Sequence, residues 1–337
     1  MWLGALLRLR SIVRMAVPIL AGATAAGAQG DAFVLSVPLD CKFGETCFIQ
    51  QYFDHDPSKS AKDYRCGPMA YDGHDGVDLR LPSMAAQRTG VTVMAAAAGT
   101  VKGTRDAMAD VSIATAGKES VAGRECGNGV VIAHQGGWET QYCHMAKGSV
   151  RVRTGQPVEA GTPLGLVGMS GEAEFPHLHF VVRRDGQKLD PFAADATTTC
   201  GAARSLWSSA AASALAYQSP ALINSGFAAE AVTMEDIESG RAGTVPPTLQ
   251  SPGMIAFVRV IGLKAGDVQT FTLKGPRGGT VARAESPPLD RNMAQRFTFI
   301  GGRKTGAEWP SGTYEAEITI QRDGKAALDR HFSFEMR

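Results

Sequence analysis

Apolar and polar residues alternate along much of the chain, the period-two signature of half-buried strands. In residues 173–182, AEFPHLHFVV, alternation puts Leu178, Phe180 and Val182 on one side and His177 and His179 on the other. Residues 130–145, VVIAHQGGWETQYCHM, read as two strands around Gln135-Gly136-Gly137, a hairpin signal. Residues 155–168, GQPVEAGTPLGLVG, read as a tight meander with glycine corners. LDPF at 189–192 closes this block, which starts near residue 73. Alternation resumes from 254 in MIAFVRVI, VQTFTLK, QRFTFI and TYEAEITIQRDGKAALDRHFSFEM, with Asp323-Gly324 as a type I′ turn between two runs. Several short strands with polar turns predict a β-sandwich. Between the blocks, SLWSSAAASALAY predicts a short helix before Pro220, and SGRAGTVPPTLQSPG is linker-like. The expected fold class is mainly β.

The first residues do not fit this pattern. Arg8, Arg10 and Arg14 precede an apolar stretch from Met15 to about Ala26, then the small-residue triplet Ala26-Gly27-Ala28. That is the layout of a secretory signal cleaved after Ala28, with an apolar part too short to span a bilayer, for which about 20 residues are needed. No adjacent arginine pair is present, so the general export route is expected. The organisation expected is therefore a signal peptide over 1–28, a cysteine-bearing segment over 29–72, a first β domain over 73–195, an Ala-rich helix and linker over 196–250, and an accessory sandwich over 251–337.

Composition adds few constraints. The 337 residues are 44% apolar and 20% charged, enough for two or three domains, and the 39 glycines agree with a turn-rich β fold. Loss of residues 1–28 takes the balance from 34 basic against 33 acidic residues to 31 against 33. No basic run or stripe points to nucleic acid, and no later segment is apolar enough for stable membrane insertion. The six cysteines, all after the export signal, read as disulfides. Cys126 and Cys143 flank the predicted hairpin and are expected to pair. Cys41, Cys47 and Cys66 are expected to tie down the N-terminal segment. No C-x-x-C pair is present.

Histidines carry the candidate chemistry. GHDGVDLRLP at 73–82 sets His74 and Asp78 four apart around Gly76, where the backbone can fold tightly enough for imidazole and carboxylate to converge. His144 is expected to share a strand face with Tyr142. A hydrolytic zinc commonly takes three nitrogen or oxygen ligands and leaves a fourth position for water. Four histidines and one aspartate at three places suffice for such an ion plus two acid/base groups.

GHDGVDLRLP, GNGVVIAHQGGWETQYCHM, VRTGQPVEAGTPLGLVGMSG and FPHLHF, in this order, closely resemble the lysostaphin/LytM-type family of zinc endopeptidases that cut peptidoglycan cross-bridges. The resemblance covers about 73–192 and implies a small, mostly antiparallel β-domain with a groove across one sheet. Position by position it implies that His74, Asp78 and His179 hold one zinc ion and that His144 and His177 are the catalytic histidines. His134 falls at a position outside that set and reads as structural. The resemblance further implies peptidoglycan peptides as partner and substrate and a secreted, periplasmic protein; oligomeric state is not legible. Two departures, Phe175 where glycine often stands and Val181 where an acidic residue often stands, bear on substrate preference, as does the insertion-like stretch 106–125.

Three alternatives compete. A non-catalytic module of this type would bind cell wall and regulate an amidase, but it commonly lacks ligands that this chain keeps. A biotinyl or lipoyl carrier needs a lysine at a hairpin tip, where Gly168-Met169-Ser170-Gly171 stands. A serine or cysteine hydrolase would need a G-x-S-x-G elbow or a free Cys143, and neither is expected. The sandwich is expected to play an accessory interaction role.

Overall fold

The computed structural model describes residues 33–196, 199–201 and 203–337, with residues 1, 2 and 4. The expected signal peptide thus lies almost wholly outside the described residues. Among those described, no helix is long and apolar enough to cross a membrane.

The first half runs β1 (Phe48–Gln51), β2 (Val77–Arg80), α1 (Met84–Thr89), β3 (Thr92–Met94), β4 (Gly99–Arg105), α2 (Ile113–Ala116), β5 (Asn128–Ala133), β6 (Trp138–Met145), β7 (Pro157–Val158), β8 (Pro163–Leu166), β9 (His177–Arg184) and β10 (Gln187–Leu189). Its main sheet has the order β1-β2-β9-β6-β5-β4-β7, with β10 also paired to β9, while β3 and β8 form a separate ribbon. Every pairing in it is antiparallel. Alternation decides which face is buried. Val77, Leu79, Val130, Ile132, Leu178, Phe180 and Val182 point into one hydrophobic core. Asp78, Arg80, His177 and His179 are left for the opposite face, and the register pairs Asp78 with His179 and Arg80 with His177.

The N-terminal segment is integrated with this sheet. β1 extends it at the edge beside β2, and the buried His55 ring bonds the buried Asp190 carboxylate at 2.7 Å. Cys126 and Cys143 are joined, as the hairpin predicted. Cys41 pairs with Cys47 inside the segment, whereas Cys66 bridges 134 positions to Cys200, tying the segment to the chain that follows the sheet.

The second half runs α3 (Ser209–Ala214), β11 (Ala221–Ala228), α4 (Met234–Ser239), β12 (Gly253–Leu263), β13 (Val268–Lys274), β14 (Thr280–Glu285), β15 (Met293–Arg303), β16 (Gly312–Arg322) and β17 (Lys325–Met336). A three-stranded sheet β11-β12-β15 faces a four-stranded sheet β14-β13-β16-β17. Met254, Ala256, Val258 and Ile300 from one layer meet Phe271, Leu273, Ile318 and Met336 from the other. The molecule is therefore mainly antiparallel β in both halves. β11 differs from the sequence reading, which placed 196–250 as helix and linker. Among the described residues only α3 and α4 are helical there, and residues 221–228 pair with β12 because Ala221, Ile223, Phe227 and Ala228 have apolar faces to bury.

Short α4 is fixed at both ends. Thr233 and Asp236 form a reciprocal capping box, and Gly240 closes it in the left-handed region. The helix delivers Glu238 between two fully buried guanidiniums, Arg80 of β2 and Arg259 of β12.

Candidate metal centre and groove

Adjacent strands β2, β9 and β6 bring the predicted residues together. His74 Nε2, Asp78 Oδ1 and His179 Nδ1 form a triangle with sides of 3.2 Å (His74–Asp78), 2.8 Å (His179–Asp78) and 3.2 Å (His74–His179). Ligands about 2.0–2.1 Å from a tetrahedral zinc lie roughly 3.3 Å from one another, so this donor set fits such an ion with a few tenths of an ångström of spreading. The remaining ring nitrogens are held from behind. His74 Nδ1 bonds the Tyr52 carbonyl at 2.7 Å, and His179 Nε2 faces the Asp75 carboxylate at 3.3 Å. Such outer contacts fix ring orientation and leave the inner nitrogen as the donor. Asp75 is itself paired with Lys188.

Gly76 is needed for a reason other than the expected tight turn. A Cβ there would meet the His179 ring at 2.7 Å and the Phe180 carbonyl at 2.7 Å. The position is closed by close approach of ring and strand, and glycine alone leaves the space.

His144 also reaches the groove by an unpredicted route. The expectation that it shares a face with Tyr142 is overturned. Tyr142 lies in the core, where its hydroxyl accepts the Ala96 N–H at 2.7 Å. His144 has φ +61°, a left-handed conformation that a non-glycine residue adopts only when its surroundings over-determine it. Its N–H donates to the Cys126 carbonyl at 2.8 Å and its Nδ1 to the Ser170 carbonyl at 2.7 Å. The alternation breaks there, and the ring turns to stand 4.6 Å from that of His177. His177 Nδ1 donates to the Phe175 carbonyl at 2.8 Å, and its Nε2 lies 3.5 Å from Asp78 Oδ1. A carbonyl can only accept, so both Nδ1 atoms carry hydrogen, leaving both Nε2 atoms bare in the neutral rings.

Electrostatics divide the cluster into two pairs of roles. Burial, reinforced by His177 and His179 nearby, pushes His144 well below the ordinary imidazole range. Burial also lowers His177, against the pull of Asp78. Both rings are therefore neutral near pH 7. Burial opposes charge on Asp78 too, but His74, His177 and the hydrogen bond from His179 outweigh it and hold the carboxyl well below its usual range. At His179 burial is outweighed by the hydrogen bonds to Asp75 and Asp78, which raise it to about 9. A cation bound by this carboxylate would take the place of that proton.

The cluster forms the floor of a groove of about 740 Å³. Tyr71 and Gln51 from the N-terminal segment line it, as do Ile113, Lys118 and Glu125 from the insertion-like stretch and Ala294 and Gln295 from the second half. Phe175 and Val181, the two departures noted in the sequence, also face it. His134 is not among the lining residues; it bonds the Ala98 carbonyl at 2.7 Å and the Thr140 hydroxyl at 2.8 Å, a structural role. Sequence reasoning missed Asp75, whose only signal is its place beside His74, and Arg80, which looks like an ordinary exposed strand residue.

Residues 72–191 match the family model for peptidase family M23. The cell division protein DipM of Caulobacter vibrioides is 40% identical over 75 residues, which cover 22% of this chain and 12% of that protein. The DD-carboxypeptidase/endopeptidase Mpg of Neisseria meningitidis is 39% identical over 70 residues, 19% of this chain and 14% of that protein. The peptidoglycan DD-endopeptidase ShyB of Vibrio cholerae is 38% identical over 69 residues, 20% of this chain and 16% of that protein. The matched stretch is thus under a fifth of the length of each of these relatives. Residues 72–191, which contain the His74/Asp78/His179 triangle and the paired histidines, are thus similar to peptidase family M23.

Proposed function

We propose that the protein is an exported, zinc-dependent endopeptidase that hydrolyses peptide bonds in the stem peptides or cross-links of peptidoglycan. The observation that carries this reading is the convergence of His74, Asp78 and His179 donor atoms beside two neutral imidazoles in one open groove. The names of the Mpg and ShyB relatives, both endopeptidases, support the reaction type.

His74, Asp78 and His179 would hold the ion. What zinc supplies when bound is Lewis acidity toward the scissile carbonyl and toward the attacking water. The bare Nε2 of His144 or of His177 accepts the proton that this water loses. The ring that has gained the proton on Nε2 can then donate it to the departing amine. The Ser170 and Phe175 carbonyls keep both rings in the tautomer this exchange needs. The peptide substrate would lie in the groove lined by residues of the 106–125 stretch, Gln51 and Gln295.

A second reading is a wall-binding module without hydrolysis, for which the likeness to a cell division protein is the supporting observation. The complete donor set favours the enzyme. The deciding experiment measures bound zinc and the products released from defined peptidoglycans by wild type, His179→Ala and His144→Ala. Stoichiometric zinc with no product from any wall preparation would overturn the peptidase reading.

A further inference from the structure

Arg80 does not belong to the metal set, yet it occupies the groove face of β2 two residues beyond Asp78 and directly across from His177 in the register. Its side chain is 0% exposed. An interior guanidinium is costly unless its donors are satisfied, and the partners here come from several parts of the chain. Nη2 lies 3.1 Å from both oxygens of Glu238 on α4. Nη1 donates to Gln50 Oε1 of β1 at 2.8 Å, with Gln295 Oε1 of β15 at 3.5 Å. Glu238 also pairs with Arg259, whose Nη2 donates to the Pro82 carbonyl at 2.7 Å and whose Nε donates to Asn224 at 2.8 Å. Two guanidiniums share one carboxylate, and the second half of the molecule supplies that carboxylate.

The guanidinium of Arg80 also packs against Phe175, a residue that lines the groove. Its guanidinium carbon stands 4.1 Å from the centre of the Phe175 ring, a cation–π contact inside a desolvated site. The Phe175 ring in turn stands 4.7 Å from the His177 ring, and the Phe175 carbonyl takes the His177 Nδ1 hydrogen. A continuous path of contacts therefore runs from Glu238 through Arg80 and Phe175 to His177.

We propose that Arg80 is a positioning residue, clamped by Glu238 of the sandwich half, that fixes Phe175 and through it the orientation and tautomer of the His177 ring. This inference rests on the reading of the groove as a peptidase site. It changes the part given to the sandwich: that half completes the groove from behind and is not a detachable targeting module. Lysine cannot replace arginine here, because an ammonium lacks the planar face for Phe175 and the fork that spans Glu238 and Gln50.

The test uses full-length, zinc-loaded protein and a soluble, cross-linked muropeptide dimer, so that wall targeting plays no part. Arg80→Lys is expected to lower kcat about tenfold with KM within about twofold of wild type, the signature of a misplaced catalytic ring. Zinc content is expected to stay at wild-type level. Phe175→Leu is expected to lower kcat similarly, and the double variant to lose no more than either single one. Glu238→Gln reads the same link from its far end should Arg80→Lys fail to fold. Independently of turnover, the ring nitrogen spectra of His177 are expected to show one tautomer in wild type and a mixture in Arg80→Lys or Glu238→Gln. Unchanged kcat, a loss confined to KM, additive losses in the double variant, or an unchanged single tautomer would each overturn the role of Arg80. A wild-type chain that cuts no muropeptide defeats the peptidase reading alone, and the ring spectra still decide this proposal.

Discussion

At the scale of single residues, the two histidines of β9 and the His74/Asp78 pair were legible because both depend on local geometry that sequence spacing encodes. Period-two alternation put His177 and His179 on one face and Leu178 and Phe180 on the other, as found. His144 was legible as a candidate, but its route into the groove was not. Alternation would send it to the core with Tyr142, and the left-handed φ that redirects it is set by tertiary partners, the Cys126 and Ser170 carbonyls. His144→Ala is expected to retain zinc and lose about 10²–10⁴-fold in kcat, the usual contribution of a general acid or base. His179→Ala is expected to lose the metal itself, read by zinc content after dialysis. Gly76→Ala is expected to weaken zinc binding by about 10–100-fold, because the added methyl displaces the His179 ring; competition with a chromophoric chelator measures it, and unchanged affinity would show that the ring can yield.

At the scale of elements, the hairpin β5–β6 and its disulfide followed from Gln135-Gly136-Gly137 and the flanking cysteines. Cys126 also supplies the carbonyl that holds the His144 backbone, so the bridge braces the segment carrying a proposed catalytic ring. Replacing both cysteines by alanine is expected to cost about 3 kcal/mol of stability, the loop-closure value for a loop of this size. Urea unfolding measures that cost, and kcat is expected to fall with it. The strand β11 was not legible, since Asn224, Ser225 and Gly226 interrupt its apolar alternation and its burial depends on β12 and α4. Short α4 carries a large electrostatic duty. Glu238→Ala leaves Arg80 and Arg259 as buried charges without a counter-ion, and is expected to destabilise the fold by about 3–5 kcal/mol in denaturant titration.

At the scale of the whole molecule, the sequence separated two β-rich halves but gave no sign that they share a buried ion cluster or a groove. Arg80 and Glu238 are 158 positions apart, and nothing in either local pattern announces the other. The N-terminal segment was likewise read as a separate piece, because β1 is four residues long and pairs only at the sheet edge. Chelation is expected to lower the melting temperature. A ligand present at 100 times its Kd contributes about 2.7 kcal/mol to the folded state, which calorimetry with and without chelator reads directly.

The Cys66–Cys200 bridge encloses the whole of the matched stretch in one covalent ring. A single proteolytic nick anywhere between those two cysteines would leave both fragments attached, running as one band until a reductant is added. A chain clipped in a surface loop there would thus still keep His74, Asp78 and His179 on one connected piece.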